Sequence, residues 1–152
     1  MSHTEPFMVG PPTDRSRPWL VVVGRERTGG GLALGDGVIA PGMPGPGRHV
    51  HTNEDEAIYV VSGVLTVEVG DQRYEAGPES FVWMPRGVPH VFANLSDDVV
   101  RTVGMTNPPG LEDMFREQAA YFESLSGPPE HAVLMELSAR YGVYPVDGPP
   151  LI

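Results

Sequence analysis

The chain has 152 residues, of which 40% are apolar, and this size and composition suit one domain around a single core. Its formal net charge of −10 disfavours binding to nucleic acid or to anionic membranes, and the arginines form no basic stripe. We therefore expect small molecules as partners. Cysteine and lysine are both absent, which excludes disulfides, thiolate metal sites and Schiff-base chemistry. No stretch has the pattern of a secretion signal or a membrane span, so we expect a cytoplasmic location.

The first part of the chain predicts an arm and two strands. Residues 1–18 are rich in proline and polar side chains and predict an N-terminal arm that could pack on a partner subunit. Residues 19–24 are mostly apolar and predict the first strand, and a second extended run follows a glycine-rich turn at about residues 32–41. The PGMPGPG segment at residues 41–47 then predicts a rigid loop.

The middle of the chain predicts many short strands. Residues 56–61 and 64–69 predict a β-hairpin around a Ser62-Gly63 turn, because apolar residues alternate along the second strand. Further strands are predicted at residues 72–76, 80–84, 88–94 and 99–105. Short strands at nearly even spacing predict an all-β fold, an antiparallel double-stranded β-helix of the jelly-roll kind, over residues 19–107.

The last part of the chain changes to a helical period. Apolar residues from Leu111 to Leu125 lie on one helical stripe, and a second helix is predicted from about Glu130 to Tyr141. The stripe indicates core packing, and His131 is interpreted as a surface residue. Residues 108–152 therefore predict a C-terminal helical extension that packs on the barrel and either caps it or forms a dimer contact.

Two histidines at alternate positions are candidate metal ligands. On a strand, residues two apart point to the same side, so His49 and His51 project together. Glu56 follows a short polar segment that lets the chain return a carboxylate to the same point, and His90 follows a Pro85-to-Gly87 turn. Three imidazoles and one carboxylate would hold one divalent metal and leave one or two positions of an octahedral ion open.

Two sequence blocks carry a resemblance to a known family. The first reads His-x-His-x4-Glu-x6-Gly and the second Pro-x-Gly-x2-His-x3-Asn, with every spacing in agreement: His49, His51, Glu56 and Gly63, then Pro85, Gly87, His90 and Asn94. These blocks resemble the paired signatures of the cupin superfamily. The resemblance implies a mononuclear metal held by His49, His51, Glu56 and His90.

Residues outside the metal blocks narrow the resemblance to small single-domain cupins similar to quercetin 2,3-dioxygenase. They are Thr28-Gly29-Gly30, Glu54-Asp55-Glu56, Tyr59-Val60, Pro85 to His90 and Asn107 to Glu112, with a weaker similarity at Ala139 to Val143 and Gly148 to Pro150. This resemblance, with the tail helices, implies a homodimer. The sequence departs from the family pattern at Met43 and Glu79, where the usual motif glycines would fall.

The leading functional hypothesis is a dioxygenase. Fe(II), or alternatively Ni(II) or Mn(II), would bind a small phenolic or enolic substrate, such as a flavonol or aromatic polyketide, for reaction with O₂. Glu56 would act both as a ligand and as the catalytic base that takes the substrate hydroxyl proton. Four apolar side chains near the ligands are candidates for binding a flat substrate, and core packing is an equal alternative for each: Ile58, Trp83, Phe92 and Met105.

Two other hypotheses stay open at this point. In the first, Zn(II) acts as a Lewis acid in a non-oxidative polyketide cyclase or isomerase, and oxygen dependence would distinguish the two enzymes. In the second, the domain binds a metal without turnover. The ligand set suits Fe, Ni, Mn, Cu, Co and Zn, so the residues alone leave the metal open.

Overall fold

The chain folds into two five-stranded antiparallel sheets that pack face to face. A computed structural model describes residues 5–13 and 19–151. Its elements, in chain order, are β1 (Trp19–Val23), α1 (Arg25–Thr28), β2 (Ala33–Ile39), β3 (His49–His51), β4 (Asp55–Ser62), β5 (Leu65–Val69), β6 (Gln72–Ala76), β7 (Phe81–Met84), β8 (His90–Ala93), β9 (Val100–Asn107), α2 (Leu111–Ser124), α3 (His131–Arg140) and β10 (Val143–Pro145). The predicted all-β double-sheet barrel with C-terminal helices is confirmed.

The strand order brings distant parts of the sequence together. The first sheet has the order β1-β2-β9-β4-β7, and the second has the order β10-β3-β8-β5-β6. Inner and outer side chains alternate along the strands, as in β7, where Val82 and Met84 are buried while Phe81 and Trp83 are exposed. The inner faces of both sheets supply one apolar core: Ile39, Ile58, Val60, Leu65, Val67, Ala76, Val82, Met84, Phe92 and Val100.

Two motif glycines lie in turns, but the predicted hairpin around Ser62-Gly63 is wrong, because β4 pairs with β7 and β9 in the first sheet whereas β5 pairs with β6 and β8 in the second. A tight turn that carries the chain from one sheet to the other has the same local sequence signal as a hairpin turn. Gly63 connects β4 to β5 with φ of 80°, and Gly87 lies in the turn before β8 with φ of 78°. L-amino acids with a side chain rarely adopt this left-handed region, which explains the need for glycine. An added Cβ at Gly63 would also lie 2.8 Å from the Val99 carbonyl oxygen. The turn after β4 therefore requires glycine for conformation and for space.

The two longer helices pack on the barrel and on each other. Leu111 and Met114 of α2, Leu137 of α3 and Val143 of β10 form a second apolar cluster. The buried Glu112 carboxylate accepts backbone N–H groups from Gly110 at 2.6 Å and from Arg25 at 2.9 Å, which satisfies two donors at the start of α2 and of α1. None of the helices among the described residues is long and apolar enough to cross a membrane.

Three features differ from the sequence-based expectations or extend them. The short helix α1 lies where only a glycine-rich turn was expected, and β10 adds an edge strand to the second sheet within residues 108–152, which were expected to form a helical extension. A three-residue strand that ends in proline carries little sequence signal. Residues 5–13 of the predicted arm contain neither helix nor strand, and the arm's other residues, 1–4 and 14–18, lie outside the described residues.

Candidate metal centre

Four side chains from three strands converge inside the barrel. His49 and His51 project from β3, and His90 on the neighbouring strand β8 is the direct register partner of His49. Glu56 approaches from β4 in the opposite sheet. One ligand atom from each of these residues lies within 4.8 Å of the others, and all four residues are buried. The structure therefore brings together the four ligands that the sequence predicts, in a group able to hold a metal ion.

Each imidazole ring is oriented by a hydrogen bond at its Nδ1 atom. The acceptors are the Gly47 carbonyl oxygen for His49 at 2.8 Å, Glu54 Oε1 for His51 at 2.6 Å, and the Val88 carbonyl oxygen for His90 at 3.1 Å. Carbonyl and carboxylate oxygens only accept, so each Nδ1 atom carries the proton. The Nε2 lone pairs are therefore available to a metal, in the arrangement that commonly orients metal-binding histidines.

One ligand atom has no hydrogen-bond partner among the described residues. His90 Nε2 is buried and accepts or donates no hydrogen bond, although it lies 3.3 Å from Glu56 Oε2. A buried polar atom without a partner costs about 1–3 kcal/mol. A metal ion in the group would supply the missing partner. This orphaned nitrogen, together with three oriented imidazoles and one carboxylate, fits a divalent cation.

The charge state of two ligands also suits metal binding. Burial lowers the pKa of His49 to about 4, helped by the neighbouring His90, so the His49 ring is neutral at pH 7. Burial raises the pKa of Glu56, but the hydrogen-bonding interaction with His90 and the electrostatic influence of the three neighbouring histidines lower it by more. The net pKa of Glu56 lies below its ordinary value, and the carboxylate is ionised. Both groups are thus in the form that coordinates a cation.

The ligands open into a large, mostly apolar cavity. Its volume is about 810 Å³, and it extends from the ligand group to helices α2 and α3. Aromatic and sulfur-containing side chains form much of the wall: Trp19, Met43, Phe92, Met114, Phe115, Phe122 and Met135. Arg48 is the one arginine among the described lining residues, and it forms an ion pair with Glu68. The site combines one polar end with an extended apolar wall.

Of the four candidate substrate-binding residues, one clearly faces the cavity. Phe92 follows His90 on the same face of β8 and lines the wall. Ile58 is fully buried in the barrel core and does not line the cavity. Trp83 is 49% exposed on the outer face of the first sheet, and Met105 shares that face because Ala57 pairs with both. Met105 borders the cavity through its position on β9.

The helical stripe contributes more to the site than core packing. Phe115, Ala119 and Phe122 of α2 line the cavity, as does His131 at the start of α3, which is an exposed residue. Only the first part of the stripe is buried, since Phe122 is 49% exposed. The helices therefore roof the open side of the barrel.

Two site residues were not among those selected from the sequence. Glu54 is buried and orients His51, and a carboxylate three residues after a ligand histidine was the available signal. Trp19 lines the cavity from β1, but its neighbours come from strands far along the chain, so no local pattern marks it.

Asn94 of the second motif block has a structural role, because its side-chain amide donates hydrogen bonds to the Ile39, Ala40 and Asp98 carbonyl oxygens.

The comparisons with known proteins agree with this architecture. Residues 36–105 match the family model described as a cupin domain. TT1209 from Thermus thermophilus is 23% identical with a TM-score of 0.54, over 61% of this chain and 88% of that one. KdgF from Halomonas sp. is 21% identical with a TM-score of 0.54, over 66% of this chain and 88% of the KdgF chain. A sugar phosphate isomerase from a cupin superfamily of Silicibacter pomeroyi is 20% identical with a TM-score of 0.50, over 59% of each chain.

No curated protein matches the sequence significantly. The structural similarities are below 25% identity and establish the fold. The match over residues 36–105 covers most of the barrel and includes all four candidate ligands. The sequence match therefore shows similarity to a cupin domain over residues 36–105, and the structural similarities show a common fold.

Proposed function

We propose that this protein is a metal-dependent dioxygenase that acts on a small phenolic or enolic substrate. The observation that carries the proposal is the position of the ligand group, which lies at one end of an 810 Å³ apolar cavity. Four protein ligands leave one or two positions of an octahedral ion free, and the cavity is the space into which those positions would open. A small molecule of several rings fits such a volume.

A redox-active divalent metal, Fe(II) or alternatively Ni(II) or Mn(II), would bind the substrate oxygen and supply the electron-transfer chemistry that O₂ requires. The chain's own residues hold and prepare the substrate. His49, His51 and His90 present their Nε2 atoms, because their Nδ1 atoms are already engaged. Glu56 is ionised and its Oε2 atom lies 3.4 Å from His51 Nε2 and 3.3 Å from His90 Nε2. From this position the carboxylate would accept the proton of a substrate hydroxyl.

The charge of the cavity wall favours a neutral or weakly acidic substrate and disfavours a phosphorylated one. Phosphate recognition uses arginine, lysine or a helix N-terminus, and the chain has no lysine. Arg48 is already paired with Glu68, and the lining carboxylates of Glu112 and Glu123 add negative charge. A sugar phosphate would therefore meet no available arginine or lysine among the described lining residues.

A non-oxidative reaction is the second candidate. Three imidazoles and one carboxylate also suit Zn(II), which would polarise a substrate carbonyl as a Lewis acid in a cyclisation or isomerisation. The same apolar cavity could orient an extended polyketide chain. The third possibility is metal binding without turnover, and the experiment below distinguishes it from the two enzymatic reactions.

The test is oxygen uptake by protein loaded separately with Fe(II), Ni(II), Mn(II) and Zn(II), with 3-hydroxyflavone and a panel of phenolic and polyketide substrates. The proposal predicts oxygen consumption equal to substrate loss with at least one redox-active metal and none with Zn(II). Glu56→Gln should lower the rate by about 10²-fold or more. The matched control is Glu75→Gln on β6, whose carboxylate is exposed and far from the ligand group in the strand order.

Turnover that proceeds equally without oxygen would replace the dioxygenase with the cyclase or isomerase. Stoichiometric metal with no conversion of any panel member would favour a metal-binding domain. An unchanged rate in Glu56→Gln would remove the proposed role of that carboxylate in proton transfer.

A further inference from the structure

We propose that Trp19 is the specificity-determining residue of the cavity, where its indole ring forms a flat platform that selects planar conjugated substrates. The inference deepens the proposed function and rests on it for the reaction, but it concerns ring shape and can be tested by binding alone. Three independent contacts support it: a glycine floor, a parallel ring on α2 and an edge-on ring on β8.

A floor of glycines gives the indole room to lie close against the first sheet. Trp19 on β1 pairs directly with Gly37 on β2, and its ring also reaches Gly104 on β9. An added Cβ at Gly37 would lie 3.0 Å from Trp19 Cζ3, and one at Gly104 would lie 2.9 Å from the same atom. Such distances are shorter than ordinary carbon contacts of about 3.5–4.0 Å. Only residues without a side chain allow the ring to lie across two strands.

Gly35 extends the same floor. It is the register partner of Gly104, and an added Cβ there would lie 3.8 Å from Trp19 Cε3. Glycine in the interior of a strand weakens the strand and often marks a place where another group approaches closely. Three glycines on the inner face of adjacent strands thus form one cradle for one indole. This cost in strand stability is explained if the ring has to lie flat.

The indole also borders the cavity. Trp19 is only partly buried and lines the same cavity as the ligands. The Phe115 ring on α2 is parallel to the indole within 8°, with centroids 6.5 Å apart. The Phe92 ring meets the indole nearly edge-on, at 69° and 6.2 Å. These two rings fix the plane of the platform from the helical roof and from the strand that carries His90.

A planar conjugated substrate can lie parallel to this platform while its oxygen points toward the ligand group. Stacked aromatic rings gain attraction beyond the burial of area, and that gain is lost when one ring is puckered. The geometry of Trp19 therefore discriminates by shape, whereas the ligand group recognises the substrate oxygen. Discrimination of about tenfold between planar and puckered rings is the expected scale for one aromatic contact.

The test measures binding to Zn(II)-loaded protein, which holds the probe without oxidising it, by isothermal titration calorimetry. The planar probe is flavone and the puckered probe is its 2,3-dihydro derivative, flavanone, because neither carries a 3-hydroxyl group whose acidity and metal chelation would change with ring saturation. Wild type should bind the planar probe about tenfold more tightly, and Trp19→Leu should reduce the difference to less than about twofold. Gly104→Ala should also reduce it, because the new methyl group displaces the ring.

The matched control is Trp83→Phe, which changes the chain's other tryptophan on the outer face of the barrel and should keep the full preference. Should Trp19→Leu fail to fold, Phe115→Leu tests the same platform from α2 and should also reduce the preference. Equal binding of both probes by wild type, no binding of either, or full preference in a folded Trp19→Leu variant would overturn the proposal. Absence of oxygen uptake would instead refute only the reaction, because binding needs no turnover.

Discussion

At one end of the cavity, three imidazoles and a carboxylate lie within 4.8 Å of one another, and each imidazole is held by a hydrogen bond at Nδ1. At the other end, Trp19, Phe92 and Phe115 meet through ring contacts, supported by glycines in the sheet. The ligand end consists of polar side chains, and a separate hydrogen bond orients each imidazole ring. The aromatic end is held together by packing between apolar rings, which come from β1, β8 and α2.

The difference separates two tasks within one cavity. Polar groups with defined directions can hold an ion and tolerate little substitution. Apolar walls tolerate change in chemistry but respond to changes in volume and ring plane. We therefore expect variants at the ligand end to change metal binding, and variants at the aromatic end to change substrate choice or stability while the metal remains.

Metal removal should have the largest effect on stability. If the metal binds only the folded state, a free concentration of 1,000 times Kd adds about 4 kcal/mol, which corresponds to a Tm rise of about 8–16 °C in a chain of this size. Thermal unfolding of chelator-treated and reloaded protein measures the effect. The His49→Ala, His90→Ala double variant is the control and should show no rise, while an equal Tm for loaded and metal-free wild type would contradict the account.

Glu54→Gln should weaken metal binding without removing any ligand. The buried Glu54 carboxylate accepts the His51 Nδ1 proton at 2.6 Å, and a neutral amide holds and polarises the ring less well. Loss of such a partner lowers metal affinity by about 10–100-fold. Competition titration with a chromogenic chelator gives the affinity.

Glu112→Gln is the matched control for Glu54→Gln. Glu112 is equally buried and lines the cavity, but it accepts backbone N–H groups from Gly110 and Arg25. This variant should lose stability and keep its metal affinity. Similar affinities for all three proteins would show that Glu54 does not support the site.

Thr102→Val sharpens the comparison, because Thr102 and His90 carry the two buried side-chain atoms without a hydrogen-bond partner among the described residues. His90 Nε2 lies within the ligand group. Thr102 instead lies beside the glycine floor, as the register partner of Gly37, and its Oγ1 atom would be 2.3 Å from a Cβ added at Gly37. Valine removes the unpaired hydroxyl and keeps the shape. We expect a gain of about 1 kcal/mol in the free energy of unfolding.

Urea denaturation measures the effect of Thr102→Val. Its control is Thr66→Val on β5, which removes a hydroxyl that donates to Glu75 at 2.8 Å and should destabilise. Metal content should stay unchanged in both variants. A loss of stability in Thr102→Val would mean that its hydroxyl has a partner, such as an ordered water, that satisfies it.

Glu79→Gly tests a position outside both ends of the cavity and should have the smallest effect. Glu79 has φ of 66°, a conformation that favours glycine, and it is the position where the related motif usually has glycine. Relief of this strain should increase the free energy of unfolding by about 0.5–1 kcal/mol. The greater conformational entropy of glycine in the unfolded chain offsets part of this gain. Glu79→Ala keeps a Cβ and should show no gain, and a gain from alanine equal to that from glycine would refute the strain.

The ligand end was predictable because its signal is local. His49 and His51 alternate on one strand, Glu56 follows within a few residues, and the turn at Gly87 brings His90 into register with His49. Turn glycines at defined offsets also place the strands in order. Two short blocks of sequence, one with His49, His51 and Glu56 and the other with His90, thus contain most of the information about the ligand group.

The aromatic end was not predictable, because it depends on strand parity and on pairing between distant segments. A shift of one residue moves a side chain to the other face of a sheet, and this is why Trp83 was a candidate for substrate binding although its side chain lies on the outer face. Trp19 meets Gly104 only because β2 lies between β1 and β9. No pattern within β1 predicts that contact.

The most direct test of the central claim is metal content, measured by mass spectrometry on protein purified without a chelator or a histidine tag. Wild type, the His49→Ala, His90→Ala double variant and the His131→Ala variant are compared, because His131 lines the cavity near the helices and is not a ligand. We expect one metal per chain in wild type and in His131→Ala, and none in the double variant. Wild-type protein that holds no metal even after reconstitution, or a double variant that retains it, would contradict the account.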